Sequence, residues 1–286
     1  MLNPPDPVEM IGGLLLSAAV ALVGYRREAL SGSGVAGAIL SGSLIFGLGG
    51  WEWGLLLIAF FISSSILSHY RAEEKRALAE KFAKGHRRDL VQALANAGVG
   101  MGLAVGHPFW PHPLLYVACA GAMAAVNADT WATEVGVLSR RPPRLISTGR
   151  PVEVGTSGGV TGLGLVVSVA GAAFIGLMGG GATLLRGEAS IVAAAVLGGA
   201  VAGGLGGSLF DSLLGATVQA IYWCDPCGKE TERRVHRCGA VTRQVRGLRW
   251  LGNDAVNFIA SVVGAAVAAV IGSILLGGTV LVPFSY

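Results

Sequence analysis

Charge is what this chain has least of. Asp, Glu, Lys and Arg make up 13% of its 286 residues, against roughly 25% in an ordinary soluble domain. With 52% hydrophobic residues, so little charge excludes both a disordered tail and a water-soluble globule. Aromatic residues are also few, at 7%, so the apolar content is aliphatic and small. There are four cysteines, too few for the disulfide framework of a small secreted domain. Residues 1–9 carry Asp6 and Glu9 but no Lys or Arg, which is not the pattern of a cleaved signal peptide.

Glycine is abundant. The 45 glycines are about twice the average share, yet they follow no G-X-Y period, so collagen is excluded. In a membrane bundle such an excess is expected, because small residues let helices approach closely. Apolar segments fall at 10–24, 35–50, 51–68, 91–106, 114–135, 158–179, 189–209 (with an extension to 222 left open) and 255–276. Several are shorter than the ~20 residues a spanning helix wants. The expected fold is all-α: a polytopic transmembrane bundle of about seven to eight helices. It forms a single membrane domain over 1–286, with a basic loop at 70–90 and a Cys/His loop at 223–252.

The basic residues orient that bundle. With the N-terminus outside, alternate loops collect Arg26 and Arg27, the cluster from Arg71 to Arg88, Arg140 to Arg150, and Lys229 to Arg249. Every Lys and Arg except Arg186 falls in one of them. Positive-inside bias makes these loops cytoplasmic. The formal charge of +4 is then an orientation signal, and no nucleic-acid partner is inferred from it.

On that map the unusual residues converge. Asn127-Ala-Asp-Thr-Trp-Ala-Thr-Glu-Val-Gly136 places Asp129 and Glu134 where the fifth helix nears the basic side. Carboxylates at such depth usually face a cavity, a partner or an ion. The turn Gly155-Thr-Ser-Gly-Gly-Val-Thr161 opens the sixth helix at the same level. Ser208, Asp211 and Ser212 end the apolar part of the seventh, and Asn253, Asp254 and Asn257 open the eighth. On a straight helix Asn127, Thr130 and Glu134 share a face, while Asp129 lies about 140° from Glu134. Either the helix breaks near Asp129 or the two acids have different tasks. The plainer readings are that Asp254 sits in water at a helix start, and that the glycine turn is capped by Thr156 or Ser157.

A second constellation lies in the 223–252 loop. Cys224-Asp-Pro-Cys227, His236 and Cys238 supply three thiols and an imidazole, a set that suits a closed structural zinc site. Cys119 stands alone in an apolar helix as a small core residue.

The motifs 127–136, 155–161, Gly206-Gly-Ser-Leu-Phe-Asp-Ser-Leu-Leu-Gly-Ala-Thr-Val-Gln219 and Trp250-Leu-Gly-Asn-Asp-Ala-Val-Asn257 resemble the DUF92/TMEM19 family of membrane proteins. The resemblance covers most of the chain in the family's order. It implies phytyl-phosphate kinase activity, as in plant and cyanobacterial members that make phytyl diphosphate for tocopherol biosynthesis, and a distant likeness to CTP-dependent polyprenol kinases. It further implies a nucleotide–Mg²⁺ site of Asp129, Glu134, Asp211 and Asp254, with a phosphate loop of Gly155, Thr156, Ser157, Gly158 and Gly159. Asn127, Thr130, Arg150, Ser208, Ser212, Asn253 and Asn257 complete the expected nucleotide- and phosphate-binding set.

The chemistry agrees with that implication. Phosphoryl transfer needs a metal on the nucleotide phosphates, cations against developing charge, and accurate positioning. Arg141, Arg144 or Arg150 can pair with a phosphate. A lipid monophosphate already carries an ionised oxygen, so the lack of an obvious catalytic histidine is no obstacle. The expectation is CTP-dependent phosphorylation of an isoprenyl monophosphate, with Mg²⁺ as cofactor, structural Zn²⁺ in the Cys/His loop, and a prokaryotic plasma membrane or thylakoid as the setting. Alternatives are an ion-coupled transporter, a kinase of a lipid alcohol, or a non-catalytic lipid- or nucleotide-binding scaffold.

Overall fold

A computed structural model describes residues 6–71, 75 and 87–277. Among them are eight helices: α1 (Pro7–Arg26), α2 (Gly32–Gly49), α3 (Trp51–His69), α4 (Leu90–Gly106), α5 (Pro113–Gly136), α6 (Gly162–Leu185), α7 (Ser190–Thr217) and α8 (Asn253–Leu276). Two small antiparallel sheets lie between them: β1 (Arg144–Leu145) with β2 (Gly159–Val160), and β3 (Ile221–Cys224) flanked by β4 (Lys229–Thr231) and β5 (Arg243–Arg246). All helices but α4 and α5 are long and apolar enough to cross a membrane. The chain is an α-helical polytopic membrane bundle. Most of the expected loop at 70–90 lies outside the described residues.

Local chemistry sets several helix starts. Asp6 accepts the Val8 N–H at 2.8 Å, with Pro7 at the first position, where its missing N–H costs nothing. Ser31 caps α2 through the Gly34 N–H. Asp89 and Gln92 form a reciprocal capping box at α4, satisfying two otherwise orphaned donors. α6 begins at Gly162 because Thr161 accepts the Gly164 N–H at 2.9 Å. The cap is therefore Thr161, and neither Thr156 nor Ser157.

α5 is the axis of the molecule. It packs against α3, α6, α7 and α8, and every residue from Tyr116 to Ala128 is buried. Its alanines and glycines let those neighbours close in. A Cβ on Gly264 of α8 would stand 2.8 Å from the Gly121 carbonyl oxygen and 2.7 Å from Ala125 Cβ. Gly203 of α7 meets the Gly264 carbonyl just as closely, so three glycines make one crossing of α5, α7 and α8. α1, α2 and α4 form a second layer, and α1 turns Val8, Ile11 and Leu15 outward, as lipid-facing residues should.

α7 runs to Thr217, within the extension from 209 to 222 that the sequence left open. Asp211 interrupts the hydropathy there without interrupting the helix, because 28 residues of α7 pack along α5, α6 and α8. At the far end of the bundle Glu52 is buried against Arg186. The one basic residue outside the basic loops therefore neutralises a buried acid.

Candidate functional site

The site begins with the two acids of α5. The helix is continuous from Pro113 to Gly136, so Asp129 and Glu134 project in different directions and have different partners. Glu134 accepts hydrogen bonds from Ser68 Oγ at 2.7 Å and from Lys75 Nζ at 2.7 Å. That pair is well shielded, with side chains 19% and 6% exposed for Glu134 and Lys75. Asp129 faces α7, where Ser208 lies within hydrogen-bonding reach and Asp211 and Glu232 are its electrostatic neighbours. Asp211 Oδ2 is buried and has no hydrogen-bond partner among the described residues. A buried carboxylate oxygen left in that state calls for a cation or ordered water.

These groups line a cavity of about 310 Å³ recessed between the ends of α5, α6, α7 and α8. The acids Asp129, Glu134, Asp211 and Glu232 and the cations Lys75, Arg88 and Arg141 all line it. Arg88 is held in place by its own backbone, which bridges to Leu30. Its guanidinium donates to Ser64 Oγ at 2.9 Å and Ser65 Oγ at 3.1 Å, over the rings of Phe60 and Phe61. Burial pushes the Arg88 pKa down from its ordinary value, and Glu134 opposes that shift. The group stays a cation, since a guanidinium does not deprotonate in proteins.

The glycine-rich turn supplies the rim. Residues 154–161 all line the cavity. Gly158 has φ +80°, and a Cβ there would come within 2.6 Å of Ala216 Cα. Its glycine is therefore required to seat the loop on the end of α7. Two backbone donors are used inside the turn: Thr156 N–H bonds the Glu153 carbonyl and Gly159 N–H bonds that of Thr156. Ser157 Oγ donates to Glu232 Oε1 at 2.7 Å, and Gln219 Nε2 reaches the same oxygen at 2.9 Å.

Of the residues expected from sequence, the cavity gathers Asp129, Thr130, Glu134, Gly155, Thr156, Ser157, Gly158, Gly159, Ser208, Asp211, Ser212, Asn253 and Asn257. Three lie elsewhere. Asn127 is fully buried, donating from Nδ2 to the Gly171 carbonyl at 2.8 Å and accepting from Ser63 Oγ at 3.0 Å. Its place is a helix-to-helix tie between α5, α6 and α3. Arg150 is exposed in the β1–β2 hairpin, and Asp254 sits in the first turn of α8 without lining the cavity. Glu232, Lys75 and Arg88 were not singled out. Arg88 and Glu232 lie between the named helices and strands, while Lys75 is helical with its N–H on the Arg71 carbonyl, and nothing in their local sequence marks which way they fold back.

The Cys/His cluster is formed by two facing turns of the β3–β5 sheet. Cys224 Sγ and Cys238 Sγ are 3.6 Å apart, Cys227 Sγ is 3.5 Å from His236 Nδ1, and His236 Nδ1 is 3.2 Å from Cys238 Sγ. None of the three thiols is in a disulfide. The Ala240 backbone, and then His236, pull the Cys238 thiol down to about 6. Among the described residues this is the one group of His, Cys, Asp and Glu side chains drawn to metal-ligand spacing, with all four ligand atoms within 4.8 Å of one another.

A buried polar cavity at one end of an apolar helix bundle, rimmed by a separate cysteine-bearing sheet, defines an integral membrane protein with a site at its surface boundary. Residues 15–265 match the integral membrane protein DUF92 family, and the chain belongs to that family. It is 32% identical to Protein PGR of Arabidopsis thaliana over 268 residues, covering 87% of this chain and 91% of the relative. It is 30% identical to the uncharacterized membrane protein MJ0933 of Methanocaldococcus jannaschii over 264 residues, covering 92% and 94%. An uncharacterized membrane protein of Synechocystis is 26% identical over 263 residues, covering 89% and 86%. No solved structure matches the chain.

Proposed function

We propose that this protein is a CTP-dependent, Mg²⁺-requiring kinase of isoprenyl monophosphates, with phytyl phosphate the leading acceptor. One observation carries the reading: Asp129 and Asp211 share a cavity with a glycine-rich loop and with the cations Lys75, Arg88 and Arg141. Hard oxygen donors suit Mg²⁺, and the unpartnered Asp211 Oδ2 fits a cation beside Asp129 and Asp211. Asp129 and Asp211 would hold the ion, which would supply positive charge to offset that developing on the transferred phosphoryl group.

The chain's own groups divide the remaining work. An ionised oxygen of the acceptor phosphate attacks the γ-phosphorus of the nucleotide, the bond to the β–γ bridging oxygen breaks, and CDP leaves. No general base is required. Arg88 and Lys75 hold the anionic partners against one another, and the rigid seating of Arg88 on Ser64 and Ser65 limits reorganisation. An adjoining apolar cavity lined by Leu16, Val20, Phe46, Leu57 and Phe61 shares Arg88 and Asn96 with the polar one. Those two shared residues support an acceptor with an apolar tail and an anionic head. Positive-inside bias puts the site at the cytoplasmic face, in a prokaryotic plasma membrane or a thylakoid.

An ion-coupled transporter would hold its acids near the bilayer centre. Asp129 and Asp211 instead lie close to the ends of α5 and α7, about 10 Å in at the helical rise. The test is incubation of purified protein with γ-labelled CTP, Mg²⁺ and phytyl or geranylgeranyl phosphate. Labelled prenyl diphosphate is expected. No transfer to either acceptor with any nucleotide or divalent metal would overturn the proposal.

A further inference from the structure

Glu232 has no obvious reason to be at the cavity. It follows β4 in a charged loop between two cysteine turns, yet its carboxylate is received by Ser157 of the glycine-rich loop and by Gln219 after α7. The cysteine turns that flank it explain how it is delivered. Cys224 ends β3, its carbonyl accepts the Gly228 N–H at 2.8 Å, and Cys227 lies within that turn. His236 and Cys238 occupy a second turn closed by the Gly239 N–H to the His236 carbonyl at 2.9 Å. Glu232 stands between the two.

The ligand atoms are spaced for one ion. A tetrahedron with Zn–S bonds of about 2.3 Å has S···S edges of about 3.7 Å, and Cys224 and Cys238 sulfurs are 3.6 Å apart. The mixed edges at His236 Nδ1, 3.5 and 3.2 Å, suit the shorter Zn–N bond of about 2.0 Å. The ligating nitrogen is thereby identified as Nδ1. Four protein ligands leave no open coordination position, so such an ion is structural.

The sheet is also fastened to the membrane helices. Arg246 of β5 donates from both terminal nitrogens, to the Ala216 carbonyl at 2.9 Å and the Gly215 carbonyl at 2.8 Å. A cation on the last carbonyls of α7 is favourable by hydrogen bonding and by the helix dipole. Gly247, at φ +81°, packs directly on the Gln219 backbone, where no Cβ fits. Leu248 N–H bonds the Val218 carbonyl at 2.8 Å. The side of the sheet at β5 is thus anchored to α7, while the 225–242 segment that carries Glu232 is joined to β3 by the Tyr222–Thr231 pairing, to Tyr222 and the Arg249 carbonyl by Arg234, and across its two turns by the Cys/His cluster.

We propose that Cys224, Cys227, Cys238 and Nδ1 of His236 bind one zinc ion, and that this ion holds Glu232 on the glycine-rich loop as a positioning residue. Zinc binding displaces the thiol protons, and the closed turns then present the Glu232 carboxylate to Ser157. Loss of zinc, by chelation or by oxidation of the thiols, releases Glu232 and loosens the loop at 153–160.

The experiment uses the full chain purified in detergent and needs neither nucleotide nor lipid, so its outcome is independent of the kinase reading. Metal analysis should find one zinc per chain. Replacement by Co²⁺ should give the visible absorption of tetrahedral thiolate-bound cobalt. Hydrogen exchange should then show residues 153–160 protected in the zinc-loaded protein, with exchange rising at least tenfold after chelation. Glu232→Gln retains all four ligands and should keep its zinc while exchanging fast at 153–160, and Glu232→Asp should recover part of the protection. A chain that binds neither zinc nor cobalt would overturn the proposal. So would unchanged exchange at 153–160 after chelation or in Glu232→Gln.

Discussion

Asn127 and Glu134 lie one above the other on α5, and both have partners that give them structural work. Asn127 ties α5 to the Gly171 carbonyl and to Ser63 at a site with no access to the cavity. Asn127→Ala is expected to cost about 1–3 kcal/mol, the usual price of unmaking buried hydrogen bonds. Thermal unfolding in detergent checks this, and the nucleotide KM of the folded fraction should not move. A tenfold rise in KM without loss of stability would instead put Asn127 on the nucleotide. Glu134→Gln removes the anion facing Lys75, whose side chain is 6% exposed. An uncompensated buried cation costs about 3 kcal/mol or more, so a lower unfolding midpoint is expected. Lys75→Met combined with Glu134→Gln should restore part of the loss, because the stranded charge is gone.

Among the elements, the glycines of the α5–α7–α8 crossing differ in kind from those facing lipid. Gly264→Ala forces a methyl against Gly121 and Ala125, and overpacking of this sort costs about 1–3 kcal/mol. Gly102→Ala meets nothing within 4 Å, and with better helix propensity it should be neutral or stabilising by up to about 1 kcal/mol. Unfolding midpoints of the two variants, compared directly, test the assignment. The helices themselves were legible in sequence as apolar runs, six of them of spanning length and composition. The end of α7 was left open between 209 and 222, because Asp211 and Ser212 interrupt hydropathy while the helix continues against α5 to Thr217. The 100° step between residues already separated Asp129 from Glu134, and on the continuous helix they face different partners. Of the cavity's cations Arg141 was legible as a phosphate partner, whereas Lys75 and Arg88 belong to a basic stretch that reads as orientation signal only. Glu232 escaped notice because its approach depends on how the Cys/His turns fold, which no local pattern states.

For the whole molecule, the placement of charge organises both topology and site. The basic segments mark one end of the bundle, and the cavity at that end gathers Asp129 and Asp211 from α5 and α7 with Glu232, Lys75, Arg88 and Arg141 from the segments between the spanning helices. The central claim is that Asp129 and Asp211 act together there in phosphoryl transfer. The most direct measurement compares wild type, Asp129→Asn and Asp211→Asn for transfer from γ-labelled CTP to phytyl phosphate, with size-exclusion profiles to confirm folding. Wild type should yield labelled diphosphate, and each variant should lose at least about 100-fold, equivalent to about 2.7 kcal/mol of transition-state stabilisation. Folded variants that transfer as fast as wild type would contradict the account, as would a folded wild type that transfers nothing.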